Sequence, residues 1–126
     1  MPRPVTDPFV LHACELLSVL GECRAQRLFG GWGLSVDGMT VGIIAWDTLF
    51  LKTHAATEPM FVQAGGRPFE YTAQGRTTRL RYHTPPAEAL ESPALMAPWA
   101  RLALEAALAA RQRPAHRRRR ADRAGR

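Results

Sequence analysis

Glycine-rich loops often hold phosphate groups, and one stretch of this sequence, LFGGWGLSVDG at positions 28–38, contains four glycines. A Walker-type phosphate loop also needs a lysine, and this stretch has none. A dinucleotide-binding loop needs a third spaced glycine and a following helix, whereas the GWG of positions 31–33 leads into the strand-like sequence LSV. We therefore interpret these glycines as points where a strand bends or where another backbone comes close.

Histidine, cysteine and carboxylate side chains are the other candidates for chemistry. The histidines, at positions 12, 54, 83 and 116, do not have the spacing of a zinc motif. Cys14 and Cys23 have no identifiable base, and we expect free thiols, with a bridge between them as the alternative. Asp37 and Asp47 fit turns better than an acid–base pair. The sequence therefore predicts no catalytic residue, no cofactor and no metal site.

The net charge of +6 is concentrated at the C-terminal end of the chain. Residues 111–126 contain eight arginines and one aspartate, whereas residues 1–110 carry a net charge of −1. We expect a folded domain over residues 1–111 and a disordered arginine-rich tail over residues 112–126, because HRRRRADRAGR has no apolar side chain larger than alanine to bury.

This tail suggests a weak, sequence-independent contact with nucleic acid, because clustered arginines neutralise phosphates and release their counterions. The candidate contact residues are Arg117, Arg118, Arg119 and Arg120. A purely solubilising tail is the alternative interpretation.

Hydrophobic periodicity and turn residues predict the first half of the domain. Asp7 and Pro8 mark the start of a helix that ends at Gly21. Two turns, Asp37-Gly38 and Asp47-Thr48, are predicted between antiparallel strands over positions 26–53.

The second half is predicted to begin with a short helix over positions 55–64, with Thr57 as its cap and Met60, Phe61 and Ala64 on one face. A hairpin around Gln74-Gly75 follows, and Ser92-Pro93 opens a last helix that reaches about Arg111. The apolar stripe of this helix is predicted to consist of Leu95, Trp99, Leu102, Ala106 and Ala109. These elements predict an α+β, two-layer fold: an antiparallel sheet of about five strands with N-terminal, middle and C-terminal helices packed on it.

A second charge feature is the group Arg76, Arg79 and Arg81, which with Lys52 forms a candidate basic strip on the open side of the sheet. A solvated sheet face, neutralised by acidic residues such as Glu70, is the alternative and the favoured interpretation, because the body of the domain is nearly neutral.

The motifs RLFGGWGLSVDG, DTLFLKT, GGRPFEYT and RYHTPPAEAL occur in this order, and over about residues 9–110 the chain resembles the N-terminal domain of the TfoX/Sxy regulators of natural competence. The resemblance implies an α+β domain without catalytic residues. In full-length members this domain is joined to a helical C-terminal domain that resembles a nucleic-acid-binding module, and those proteins act as transcriptional co-activators with the cyclic-AMP receptor protein. Here the arginine-rich tail follows instead, and Ser35 and Phe50 stand where the family pattern has tyrosines.

From this resemblance we expect a cytoplasmic, non-enzymatic accessory factor in transcription or competence-type regulation that acts by contact with a protein partner. The alternative is a small adaptor or chaperone-like module with no nucleic-acid role and an exposed patch around Trp32, Phe50 or Trp46. The candidate partner surface consists of Trp32, Phe50 and Lys52, although packing against the core is the favoured interpretation of Trp32. No apolar run approaches the length of a membrane span, so we expect no membrane contact.

Overall fold

The computed structural model describes residues 6–28 and 30–112, which form an α+β fold of two layers. The helices are α1 (Pro8–Leu16), α2 (Glu58–Gln63) and α3 (Pro93–Gln112), with short 3-10 helices at Leu17–Leu20 and Ala87–Glu91. The strands are β1 (Cys23–Leu28), β2 (Gly31–Val36), β3 (Met39–Ala45), β4 (Thr48–Lys52), β5 (Pro68–Ala73) and β6 (Arg76–His83). They form one antiparallel sheet in the order β1-β2-β3-β4-β6-β5. The predicted architecture is confirmed, with six strands rather than about five.

Helix α1 begins where the sequence predicts. The Asp7 carboxylate accepts hydrogen bonds from the backbone N–H groups of Phe9 at 2.9 Å and Val10 at 3.3 Å, and Pro8 occupies the first helical position. After the 3-10 helix at Leu17–Leu20 the chain turns at Gly21, whose φ of 135° suits only glycine.

Of the connections between neighbouring strands, three tight turns lie wholly within the described residues, and two of these are at the predicted residues. Asp37-Gly38 joins β2 to β3 and Gln74-Gly75 joins β5 to β6, each with positive φ at both positions. The turn between β3 and β4 was predicted one residue too late: Ala45 pairs with Thr48, so Trp46 and Asp47 form the turn, with φ of 52° and 54°. Tryptophan rarely adopts positive φ, which is why the sequence places Trp46 in the strand instead.

The core lies between the helices and one face of the sheet. Sheet residues Leu34, Val36, Val41, Leu49 and Leu51 are fully or almost fully buried there, opposite the α3 residues Met96, Ala100, Ala103 and Ala107. The predicted stripe of α3 is therefore only partly right. Ala106 is buried and Trp99 and Leu102 are half-buried, but Leu95 is 46% exposed. Alanines replace larger side chains at the contact because they allow the helix to lie close to the sheet.

Helix α2 is shorter than predicted and presents different residues to the core. Phe61 is fully buried, but Met60 is 46% exposed, which contradicts its predicted place on the inner face. Thr57 precedes the helix without capping it, because its hydroxyl accepts a hydrogen bond from the His54 N–H and donates one to the His54 carbonyl.

The last helix extends past the predicted start of the tail. Helix α3 continues through Gln112, the first residue assigned to the tail, and the rest of the tail with Arg117–Arg120 lies outside the described residues. Within residues 6–28 and 30–112, no helix is both long enough and apolar enough to cross a membrane.

Candidate interaction surface

One face of the sheet, which we call the open face, is directed away from the helices. The pairs Ile43–Phe50, Lys52–Tyr82 and Phe69–Leu80 place these six side chains on it, because paired residues of antiparallel strands share a face and alternate residues point to opposite faces. The core residues contributed by the helices all pack on the other face. Leu80 on this face is 40% exposed, whereas Lys52 lines a pocket with Ala107, Ala110 and Arg111 of α3.

An aromatic cluster of Trp46, Phe50, Phe69 and Tyr71 lies on the open face. Phe50 and Phe69 meet edge to face with 5.1 Å between ring centroids, and Trp46 stacks on Phe69 at 5.3 Å with an interplanar angle of 21°. Tyr71 meets Phe69 edge to face with 5.9 Å between ring centroids. Phe50 and Phe69 are only 4% and 8% exposed, whereas Trp46 is 63% and Tyr71 42% exposed. Two phenylalanines thus support two exposed aromatic rings.

Cationic side chains lie on the same face. The Lys52 ammonium is 5.3 Å from the centroid of the Tyr82 ring, and burial lowers the pKa of Lys52 and raises the pKa of Tyr82. Arg76 shares this face at the far end of β6, because it is an even number of residues from Tyr82. The open face therefore combines exposed aromatic rings with positive charge.

Comparison with known proteins identifies the fold family. The family model of the TfoX N-terminal domain matches residues 15–107 of the 126-residue chain. The chain belongs to the TfoX N-terminal domain family. The matched range includes all six strands and therefore the whole open face. No curated protein matches the sequence.

The three residues predicted as a partner surface do not lie together in this TfoX N-terminal domain. Trp32 pairs with Ile44 on the helix side of the sheet, where it is half-buried against the core with the Arg27 guanidinium 5.0 Å from its ring centroid. Phe50 and Lys52 are on the open face, where Phe50 is covered by its aromatic neighbours. The packed interpretation of Trp32 agrees with this position.

The predicted basic strip is also divided between the two faces. Arg79 and Arg81 point away from the open face, and Arg79 donates hydrogen bonds to Glu70 at 2.8 Å and 2.6 Å. Only Arg76 of the three arginines shares a face with Lys52.

Sequence reasoning did not single out Phe69 and Tyr71. They alternate with the polar Glu70 and Thr72 in a short strand, a pattern that marks one apolar face but does not show which face the helices cover. The sequence indicates Trp46 only as part of an alternative patch, because its pattern predicts this residue in a strand and not in a turn.

A threonine, a histidine and a carboxylate lie in the order found in nucleophilic active sites, but the threonine and the histidine are enclosed. Nδ1 of His83 is 3.3 Å from the Thr53 hydroxyl, and Nε2 is 3.5 Å from the Glu58 carboxylate. Burial lowers the pKa of His83, against the opposing effect of Glu58. Thr53 and His83 are only 3% and 2% exposed, so a substrate carbonyl has no path to the hydroxyl. This group joins β4, β6 and α2 instead.

The remaining described histidines also link elements of the fold. Nε2 of His12 on α1 is 2.7 Å from the carbonyl oxygen of Leu90, and Nε2 of His54 is 3.3 Å from the Glu105 carboxylate on α3. Within residues 6–28 and 30–112, no three histidine, cysteine or carboxylate side chains come together as metal ligands would.

The two cysteines are neighbours although they lie on different elements. Cys14 of α1 and Cys23 of β1 are free thiols, and each affects the pKa of the other. The neighbouring Cys23 thiol, which can donate a hydrogen bond to a Cys14 thiolate, lowers the pKa of Cys14 to about 7, and the pKa of Cys23 is raised in turn.

In the glycine-rich stretch that resembled a phosphate loop, Gly31–Val36 form strand β2. A Cβ on Gly31 would overlap the carbonyl oxygen of Ile44, and a Cβ on Gly33 would lie 2.7 Å from the Leu28 side chain. These two glycines therefore allow close approach of neighbouring chain, as the sequence predicts.

One surface pocket has a volume of about 360 Å³ and lies beside the β3–β4 turn. Its charged lining residues are Asp47 and Arg67, and the rest are mainly apolar or threonine side chains. One carboxylate and one guanidinium without a nucleophile or a histidine do not form an acid–base site. The open face is therefore the candidate functional site.

Proposed function

We propose that this TfoX N-terminal domain is a non-enzymatic accessory factor in transcription or competence-type regulation, and that it works in the cytoplasm by contact with a protein partner. The contact surface is the open face. The observation that carries the proposal is Trp46, which is held by stacking on Phe69 and yet leaves 63% of its surface to solvent. Tryptophan and tyrosine dominate the binding energy of protein interfaces when they are rigidly held.

We propose a non-enzymatic role because the potentially reactive side chains make structural contacts. Within the described residues, His12, His54 and His83 each have a partner that ties one element to another. The Thr53 hydroxyl is enclosed, and the open face carries aromatic and basic groups without a paired acid and base. Such a surface binds but does not transfer protons or groups.

Affinity capture from the native cell tests this proposal. The full chain is used as bait, with and without nuclease, beside the variant Trp46→Ala and the control Met60→Ala, which removes an exposed apolar side chain from α2. We expect partners that survive nuclease, that are retained by the control and that are lost with Trp46→Ala. Equal capture by both variants would show that the contact lies elsewhere.

The adaptor without a nucleic-acid role is the second candidate, supported by the near-neutral charge of residues 1–110. It predicts no retention of the full chain on DNA at physiological salt. A salt-sensitive retention that disappears when the chain is truncated at Gln112 would contradict it and would assign the DNA contact to the arginine tail.

A further inference from the structure

Within the strands, the charged side chains of the open face are all positive. Glu70 is the one carboxylate within the six strands, and it points to the opposite face, where it binds Arg79. The open face carries Arg24, Lys52 and Arg76. Arg24 lies 3.5 Å from Glu22, whereas among the described residues neither Lys52 nor Arg76 has a carboxylate within ion-pair distance. Two cations on this face therefore lack a counter-charge within the described part of the domain.

These two cations flank the exposed aromatic rings. Lys52 is level with Tyr82 in the strand ladder, and Arg76 lies six positions away along β6, which corresponds to about 20 Å at the rise of an extended strand. Between them, Phe69 pairs with Leu80 and Tyr71 pairs with Thr78. The surface is thus a strip with an apolar centre and a cation at each end.

We propose that this strip binds an acidic, apolar-rich segment of the partner protein, with apolar side chains of the segment on Trp46 and Tyr71 and its carboxylates on Lys52 and Arg76. The inference rests on the proposed function, because it names the chemistry of the partner at the same surface. Charge complementarity selects the partner, and the aromatic rings supply most of the contact area.

A purely apolar partner fits this strip less well. The Lys52 side chain is already half-buried, and further covering of its ammonium without a carboxylate would leave a charge without water or a partner. A carboxylate at this position removes that cost.

Single-stranded nucleic acid also stacks on aromatic side chains, but the charge pattern favours it less. Nucleic-acid affinity grows with the number of phosphates that cations neutralise, and here two cations without counter-charges lie about 20 Å apart. Residues 1–110 have a net charge of −1. Leu80, 40% exposed between the two cations, also offers an aliphatic surface for apolar side chains.

Labelled synthetic peptides test the inference by fluorescence anisotropy with the full chain. The probe has glutamates flanking a leucine- and phenylalanine-rich core at the spacing of the two cations. Its controls are the same peptide with lysine for glutamate and a labelled thymidine oligonucleotide. We expect binding of the acidic peptide that weakens as salt rises, and at least tenfold weaker binding of the lysine peptide. Equal binding of the two peptides, or displacement of the acidic peptide by the oligonucleotide, would overturn the inference.

Variants locate the binding on the strip. Trp46→Ala and Arg76→Glu are each expected to weaken binding of the acidic peptide about tenfold or more, because one removes an aromatic anchor and the other reverses a charge. Arg81→Glu makes the same charge reversal on the opposite face of β6 and should leave binding unchanged. An equal loss with Arg81→Glu would show a nonspecific charge effect and would also overturn the inference.

The proposed function and the inference about an acidic partner segment can be contradicted independently of each other. If cellular partners depend on Trp46 while the acidic peptide does not bind, the protein-contact role stands and the acidic chemistry of the partner is wrong. If cellular capture is independent of Trp46, the proposed function itself is wrong. Melting curves check that each variant is folded: we expect a small loss of stability for Trp46→Ala, because this ring also stacks on Phe69, and none for Arg76→Glu, because Arg76 is exposed.

Discussion

Gly31 lies where β2 runs against the backbone of β3, and its missing side chain is what allows this approach. A Cβ at this position would overlap the carbonyl oxygen of Ile44, which belongs to the sheet and cannot move aside freely. We expect Gly31→Ala to lower the free energy of unfolding by about 2 kcal/mol, within the range found when a packed site is overfilled. Urea denaturation followed by circular dichroism measures the change.

The neighbouring Gly30 provides the matched control. A Cβ there would meet no atom within 4 Å, and its φ does not require glycine. Gly30→Ala should therefore leave the stability unchanged or raise it by about 0.5 kcal/mol, because alanine restricts the unfolded chain. If the two substitutions had equal effects, close approach at Gly31 would not be the reason for its glycine.

At the scale of elements, the start of α1 depends on one side chain. The Asp7 carboxylate accepts hydrogen bonds from the N–H groups of Phe9 and Val10, which have no other partner within the helix. Asp7→Ala should lower the free energy of unfolding by about 1 kcal/mol, whereas Asp7→Asn, which retains an acceptor, should cost much less. Thermal melts of both variants measure this, and equal losses would contradict the capping role.

The same scale shows which elements could be predicted from the sequence and which could not. Asp7-Pro8, Asp37-Gly38 and Gln74-Gly75 were predictable because capping and positive φ need particular residue types. The orientation of α3 was not predictable, because apolar residues occur on all sides of this helix. Its buried residues are largely alanines, whereas the larger Leu95 and Leu108 are exposed, so hydrophobicity does not mark the buried side.

The candidate site was predictable only in part. Alternation along β4 correctly places Lys52 on the face opposite to Leu51, and alternation along β6 correctly places Tyr82 on the face opposite to His83. Nothing in the sequence shows, however, that these two strands are neighbours. The aromatic cluster forms across that junction and across a turn with Trp46 at positive φ. It is a product of tertiary structure, which local pattern does not encode.

At the scale of the whole molecule, the β5–β6 hairpin is joined to the rest of the sheet through a short ladder. Leu51 pairs with His83 and Lys52 pairs with Tyr82, and the Thr53 N–H donates to the carbonyl of Arg81 at 2.9 Å. On the helix side, this junction is held by the enclosed His83. On the open face, it is held by Trp46 of the β3–β4 turn stacked on Phe69 of β5. The protonation of one histidine therefore affects how firmly the hairpin is attached.

His83 makes the stability of the molecule depend on pH in a defined direction. Burial holds its pKa in the folded protein below the ordinary 6.5, an effect that Arg79 reinforces and Glu58 opposes. Well above pH 6.5 the ring is neutral in both states and has no effect on stability. As the pH falls below 6.5, the unfolded chain takes up the proton first, so the free energy of unfolding decreases until the folded ring is protonated too.

Urea denaturation between pH 7.5 and pH 5.5 measures this dependence. For one proton, the free energy of unfolding changes with a limiting slope of about 1.4 kcal/mol per pH unit. His83→Gln should remove most of the decrease, although it lowers stability at neutral pH by disturbing the contact with Thr53. Glu58→Gln should steepen the decrease, because the carboxylate that favours the charged ring is gone. A decrease that is the same in all three proteins would show that a group other than His83 controls the acid response of the fold.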